Sequence, residues 1–105
     1  MSERHNVILI FYDLPTVSSG DKKAGTEFRK NLIRSGYQRI QKSVYVKLVR
    51  NSRTINTELA NLRKNLPQNG DVKALSISLN EFRNLVSLTG EAFNMKIFAD
   101  DMVVI

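Results

Sequence analysis

Cysteine is absent from the 105-residue chain, and its absence excludes disulfides, thiolate metal sites and cysteine nucleophiles together. A cysteine-free chain suits a reducing compartment, and a cytoplasmic location is the expectation. Histidine is almost absent: His5 stands alone in the polar opening Met1-Ser2-Glu3-Arg4-His5-Asn6, so no histidine general base is expected inside a site. There is no Walker loop, no nucleotide-binding GxGxxG and no zinc-type ligand spacing. The first apolar run stops at Asp13, too short and wrongly flanked for a signal peptide or a membrane span. Repeats, low-complexity tracts and linker-like stretches are missing too.

Acidic residues are scarce in one region above all. Between Lys22 and Arg53 ten basic residues face a single acid, Glu27, so that segment carries +9 while the rest of a +6 chain carries −3. Charge gathered in this way makes a one-sided field that attracts polyanions. A solvated helix face followed by an exposed strand face is the plainer alternative.

What is present fits one small domain with a real core, 42% of its residues being hydrophobic. A domain this small buries a limited share of its surface, so dimerisation would help it. Val7-Ile8-Leu9-Ile10-Phe11-Tyr12, closed by Asp13-Leu14-Pro15, is expected to be a buried central strand. Thr16–Asp21 is expected to be a loop, with Ser18, Ser19 and Gly20 as breakers. The period then changes: Ala24, Phe28 and Leu32 predict a helix over Lys22–Ser35, with Gly36 at its C-cap. On that helix Lys23, Lys30 and Arg34 lie within about 40° of one another, opposite Phe28 and Leu32. Glu27 shares their face and is placed to pair with Lys23 or Lys30.

Tyr37–Arg50 alternates as two short strands with a bend at Gln41-Lys42. Ile55, Leu59, Leu62 and Leu66 predict a second helix, capped by Asn51 or Ser52 and ended by Pro67 and Gly70. Val72–Leu79 is a strand with Leu75, Ile77 and Leu79 on one face. Asn80 is expected to cap a short third helix bearing Phe82, Leu85 and Val86, closed by Gly90. Met102-Val103-Val104-Ile105 is expected to be a last apolar strand.

The order β-α-β-β-α-β predicts an α+β, ferredoxin-like domain, an antiparallel sheet with two helices on one face. It is expected to be a single domain over 1–105, with its core in 6–90 and a dimer-completing strand segment in 91–105. The surplus terminal strand needs a sheet edge, which a partner subunit would supply.

Chemistry has few carriers here. Asp13 ends the apolar strand, where a carboxylate either caps a turn or serves as metal ligand or general base. Magnesium needs only one or two carboxylates and keeps several waters, so a twofold dimer would let two Asp13 residues share one ion. Such an ion would lower the pKa of a bound water and neutralise a phosphate, in place of the missing histidine. Tyr12 and Tyr45 either stack on bases or pack in the dimer seam, and packing there is the expectation. Ser43 is a candidate phosphate contact or a locally satisfied hydroxyl. Arg29, Lys30, Arg34, Arg39 and Lys42 are the candidate contacts to nucleic-acid phosphates.

Tyr12-Asp13-Leu14-Pro15, the basic helix with Phe28-Arg29-Lys30, and Gly36-Tyr37-Gln38-Arg39-Ile40-Gln41-Lys42-Ser43-Val44-Tyr45 together resemble the CRISPR-associated protein two family. The similarity continues through Asn65-Leu66-Pro67 and Gly70–Leu79 to the final apolar strand, and the opening resembles members from type II systems. The resemblance implies a ferredoxin-like homodimer with an interfacial metal site at Asp13, holding one shared Mg2+ or another divalent ion such as Mn2+. It implies that Met102–Ile105 completes the sheet of the other subunit. It also implies metal-dependent endonuclease activity on RNA or duplex DNA. The adaptation role it implies is spacer acquisition, with the protein bridging two dimers of the CRISPR integrase around the duplex to be inserted. Two other roles fit the same fold, a non-catalytic scaffold of that integrase complex and a toxin-like endoribonuclease related to virulence-associated ribonucleases.

Overall fold

The computed structural model describes residues 5–91. The expected terminal strand Met102–Ile105 and nearly all of the 91–105 segment lie outside the described residues. The elements run β1 (Asn6–Asp13), α1 (Ser19–Arg34), β2 (Gln38–Gln41), β3 (Val44–Val49), α2 (Arg53–Arg63), β4 (Asp71–Ser78) and α3 (Leu79–Phe82). The four strands form one sheet in the order β2-β3-β1-β4, with every neighbouring pair antiparallel. This is the expected ferredoxin-like arrangement, and β1 is a central strand, as its unbroken apolar run requires.

Because side chains alternate along β1, it feeds two cores. Ile8 and Ile10 join Phe28 and Leu32 of α1, Leu62 of α2, and Tyr37, Tyr45 and Val49. Val7 and Leu9 join Val46, Leu79 and Phe82 on the opposite face. Each fully buried Leu, Ile or Phe of this kind contributes roughly 1.5–3 kcal/mol relative to exposure. On the second face the cover is incomplete: Phe11 is 38% and Leu75 50% exposed.

The ends of the helices show where the sequence expectations need correction. α1 starts at Ser19 rather than Lys22, because Ser18 and Asp21 form a reciprocal capping box. The residues expected to break the chain instead start the helix. Its far end behaves as anticipated. The Gly36 amide donates to the Ile33 carbonyl and the Tyr37 amide to the Leu32 carbonyl, with Gly36 at φ +94°, a Schellman closure that needs glycine. At α2 the Asn51 side chain accepts from the Arg53 amide, whereas the Ser52 side chain makes no cap bond. Ser78, not Asn80, caps α3 through a second capping box with Glu81. That helix is a single turn, and Leu85 and Val86 lie beyond it, exposed. The turn between β2 and β3 falls on Lys42-Ser43, one residue later than expected, with Ser43 at φ +69°.

One polar contact ties the layers together. The Lys47 ammonium on β3 donates to the Glu58 carboxylate on α2 and to the Ser35 carbonyl at the end of α1, both at 2.8 Å. A cation at a helix C-terminus is favourably placed against the helix dipole. The ammonium also lies 5.6 Å from the centre of the Tyr37 ring. Among the described residues this is the one ion pair, so the pairing expected of Glu27 with Lys23 or Lys30 does not form. No helix among the described residues is long and apolar enough to cross a membrane.

Candidate nucleic-acid and metal site

Asp13 closes β1 and is exposed to solvent. It has the same parity as Val7, Leu9 and Phe11, so its side chain leaves the sheet on the face opposite α1 and α2. Across the ladder its register partner is Asp71, the first residue of β4. Directly opposed residues of an antiparallel pair point to the same face, so two carboxylates stand side by side there. Asp71 had no part in the sequence expectations. An acid opening a strand becomes informative only once β4 is known to run antiparallel to β1 in this register.

Tyr12 points the other way. Its ring stacks on that of Tyr45, centroids 6.0 Å apart and planes at 28°, and meets Phe28 edge-on at 5.4 Å. Both tyrosines pack, Tyr45 being buried, but within the chain's own core beside Phe28 and not in the dimer seam expected for them. The Tyr12 amide donates to the Ser43 carbonyl at 3.1 Å, which ties the end of β1 to the β2–β3 turn. Ser43 thus supports the strand end through its backbone.

Two of the candidate cations act on the Tyr45 phenol of this pair. Burial, then the neighbouring Tyr12, push the Tyr45 phenol above its ordinary pKa, while Arg39 and Arg29 pull it down. The two guanidinium groups that act on this hydroxyl come from separate elements, Arg29 from α1 and Arg39 from β2. Arg39 is the register partner of Tyr45 and shares its face. Arg29 is held on the helix by a 3.2 Å bond to the Thr26 hydroxyl. Lys30 and Arg34 extend the basic surface along the exposed side of α1, and Lys42 is exposed in the β2–β3 turn. Asp13 stands apart from this group, on the other face of the sheet.

The family model for CRISPR associated protein Cas2 matches residues 6–85. The chain belongs to this family. Similar proteins carry the name CRISPR-associated endoribonuclease Cas2. The one from Acidovorax ebreus (strain TPSY) is 36% identical over 83 residues, 79% of this chain and 81% of the relative. The Treponema denticola protein is 31% identical over 98 residues, 93% and 97% of the two chains. The Campylobacter jejuni protein is 35% identical over 91 residues, 86% of this chain but 64% of a longer relative.

For a Cas2-family chain the donor set limits which metal fits. Among the described residues no group of three or more His, Cys, Asp or Glu side chains comes together. A closed transition-metal site is therefore not built from these residues. A hard cation that takes one or two carboxylates and keeps its waters does fit the exposed end of β1. Asp13 is the residue that would hold it, with Asp71 beside it. His5 precedes β1, at the end of the strand away from Asp13, and its backbone carbonyl accepts from the Leu79 amide, which fixes the start of α3.

Proposed function

We propose that this Cas2-family chain is a nucleic-acid-binding subunit of CRISPR adaptation with metal-dependent endonuclease capacity. It acts as a cytoplasmic homodimer on RNA or duplex DNA. The observation that carries the binding role is the gathering of exposed Arg29, Lys30 and Arg34 of α1 and Arg39 of β2 on the helix-bearing side of the sheet. Guanidinium forks suit phosphate oxygens, and two of them from separate elements recognise a backbone better than one flexible arm. Lys30, Arg34 and Lys42 continue the contact along the polymer. The endoribonuclease name borne by the relatives supports phosphodiester cleavage.

In this reading Asp13 holds one Mg2+ or Mn2+ ion, shared with Asp13 of a second copy. When bound, the ion would lower the pKa of a water and neutralise charge on the phosphate. The exposed Phe11 and Leu75 lie on the Asp13 face and support a second copy covering it. That packing would bring two Asp13 side chains toward each other. The dimer would then bridge two integrase dimers and hold the duplex destined to become a spacer.

A purely scaffolding role is the second reading, and one observation favours it. Asp13 and the arginines leave opposite faces of the sheet, so a duplex lying along α1 is held without help from Asp13. Labelled single-stranded RNA and duplex DNA, incubated with the protein in Mg2+ and again in excess chelator, distinguish the two. Metal-dependent cleavage supports the nuclease reading. Tight, salt-sensitive binding with no cleavage of either polymer supports the scaffold.

A further inference from the structure

Gly70 lies directly against the backbone of Asp13. It adopts φ +101°, and a Cβ placed on it would sit 2.8 Å from the Asp13 carbonyl oxygen. The same Cβ would stand 2.8 Å from Leu14 Cδ2 and 3.0 Å from Pro15 Cδ. Two of these three neighbours belong to the backbone or to a ring closed on it, and neither swings aside as the end of a long side chain does. The other two glycines with positive φ differ. At Gly36 the added carbon would meet only the flexible Lys47 side chain, at 3.3 Å, and at Gly90 it would meet nothing within 4 Å. All three share an unfavourable backbone conformation for other residues, but only Gly70 is also wedged against the candidate site.

The turn that carries Gly70 leads straight into Asp71, the register partner of Asp13. The two strand ends therefore close on each other at a point where one has no side chain. We propose that Gly70 is a positioning residue for Asp13. By allowing the turn before β4 to sit flush on the Asp13-Leu14-Pro15 backbone, it sets the direction in which the Asp13 carboxylate leaves the sheet. A side chain at position 70 pushes the end of β1 away from β4 and turns that carboxylate with it. The inference rests on the reading of Asp13 as the residue that serves cleavage.

The test compares Gly70→Ala with Gly90→Ala, which meets the left-handed backbone penalty without the contact, and with Asp13→Ala. Single-turnover cleavage of a labelled single-stranded RNA in Mg2+ gives the rate, and equilibrium binding of the same RNA gives the affinity. Backbone amide resonances of Asp13 and Leu14 report the strand end independently of activity. Folded Gly70→Ala is expected to cut roughly 10- to 100-fold more slowly, the effect of a misplacement of about 1 Å, with RNA affinity within about twofold of wild type. Its Asp13 and Leu14 resonances shift, while Gly90→Ala matches wild type in all three readouts. If Gly70→Ala does not fold, Gly70→Asn, for which positive φ is less costly, is read in its place.

Wild-type cleavage by the position-70 variant, in a series where Asp13→Ala is inactive, overturns the positioning claim alone. Wild-type cleavage by Asp13→Ala instead sinks the nuclease reading. The positioning claim then rests on the resonances, and unmoved Asp13 and Leu14 signals overturn it.

Discussion

Asp13 and Asp71 face each other as the last pair of the β1–β4 ladder, two carboxylates on one face of the sheet, with Lys73 the diagonal neighbour of Asp13. Like charges directly across a ladder are destabilising. Asp71→Asn is therefore expected to raise the melting temperature by about 1–4 °C in low salt and chelator, less at high salt. Thermal melts of the two proteins check this, and a lower melting temperature for the variant would show that Asp71 is engaged in a favourable contact.

Arg39 and Arg29 are expected to act on the polymer and not on the fold. Arg39→Ala and Arg29→Ala should each weaken RNA and duplex DNA binding with little dependence on sequence. Each should lower the slope of log affinity against log salt by about one, as expected when a phosphate contact and its released counterion are lost. Binding titrations at several salt concentrations read both effects. An unchanged slope would remove that arginine from the interface.

Tyr37 provides the pH prediction. Its hydroxyl is buried beside the Glu58 carboxylate, whose strong partner is the Lys47 ammonium at 2.8 Å, so that the phenol is left with a weak contact at most. Burial first, and then the Glu58 carboxylate, raise the phenol far above its ordinary value. A raised folded-state pKa means that the unfolded chain releases this proton first. The stability it contributes is complete below about pH 10 and is lost as pH rises from there toward the folded value. Tyr37→Phe should flatten that alkaline loss and change stability at pH 7 by no more than about 1 kcal/mol, the worth of a weak contact with Glu58. Urea melts at pH 7 and above pH 10 provide the comparison.

Lys47 has the opposite expectation. Removing it leaves the part-buried Glu58 carboxylate and the Ser35 carbonyl without their donor. Lys47→Ala should lower stability by about 1–3 kcal/mol at neutral pH without altering RNA affinity in the folded protein. A loss of affinity at unchanged stability would instead place Lys47 in the interface.

Much of this architecture was legible in the residues themselves. The apolar run through Val7–Tyr12 had to be a central strand, and Ala24, Phe28 and Leu32 had to face a core. The QKSVY segment carried both a strand and the family likeness. The two caps are local signals as well, since Ser18 with Asp21 and Ser78 with Glu81 keep the three-residue spacing of a capping box. The rest depends on partners distant in sequence. Asp71 and Gly70 gain meaning only from the register of β4 on β1, which no local pattern specifies. The separation of Asp13 from Arg29 and Arg39 follows from strand parity. It was implicit in the adjacent positions of Tyr12 and Asp13, whose side chains must leave opposite faces.

The claim that Asp13 serves phosphodiester cleavage is tested most directly by Asp13→Ala. The variant should be purified as folded protein with the oligomeric state of wild type and assayed on single-stranded RNA and duplex DNA in Mg2+. The account predicts undiminished binding and a cleavage rate lower by about 100-fold or more. Cleavage by the variant at the wild-type rate would contradict it and leave binding as the chain's own contribution.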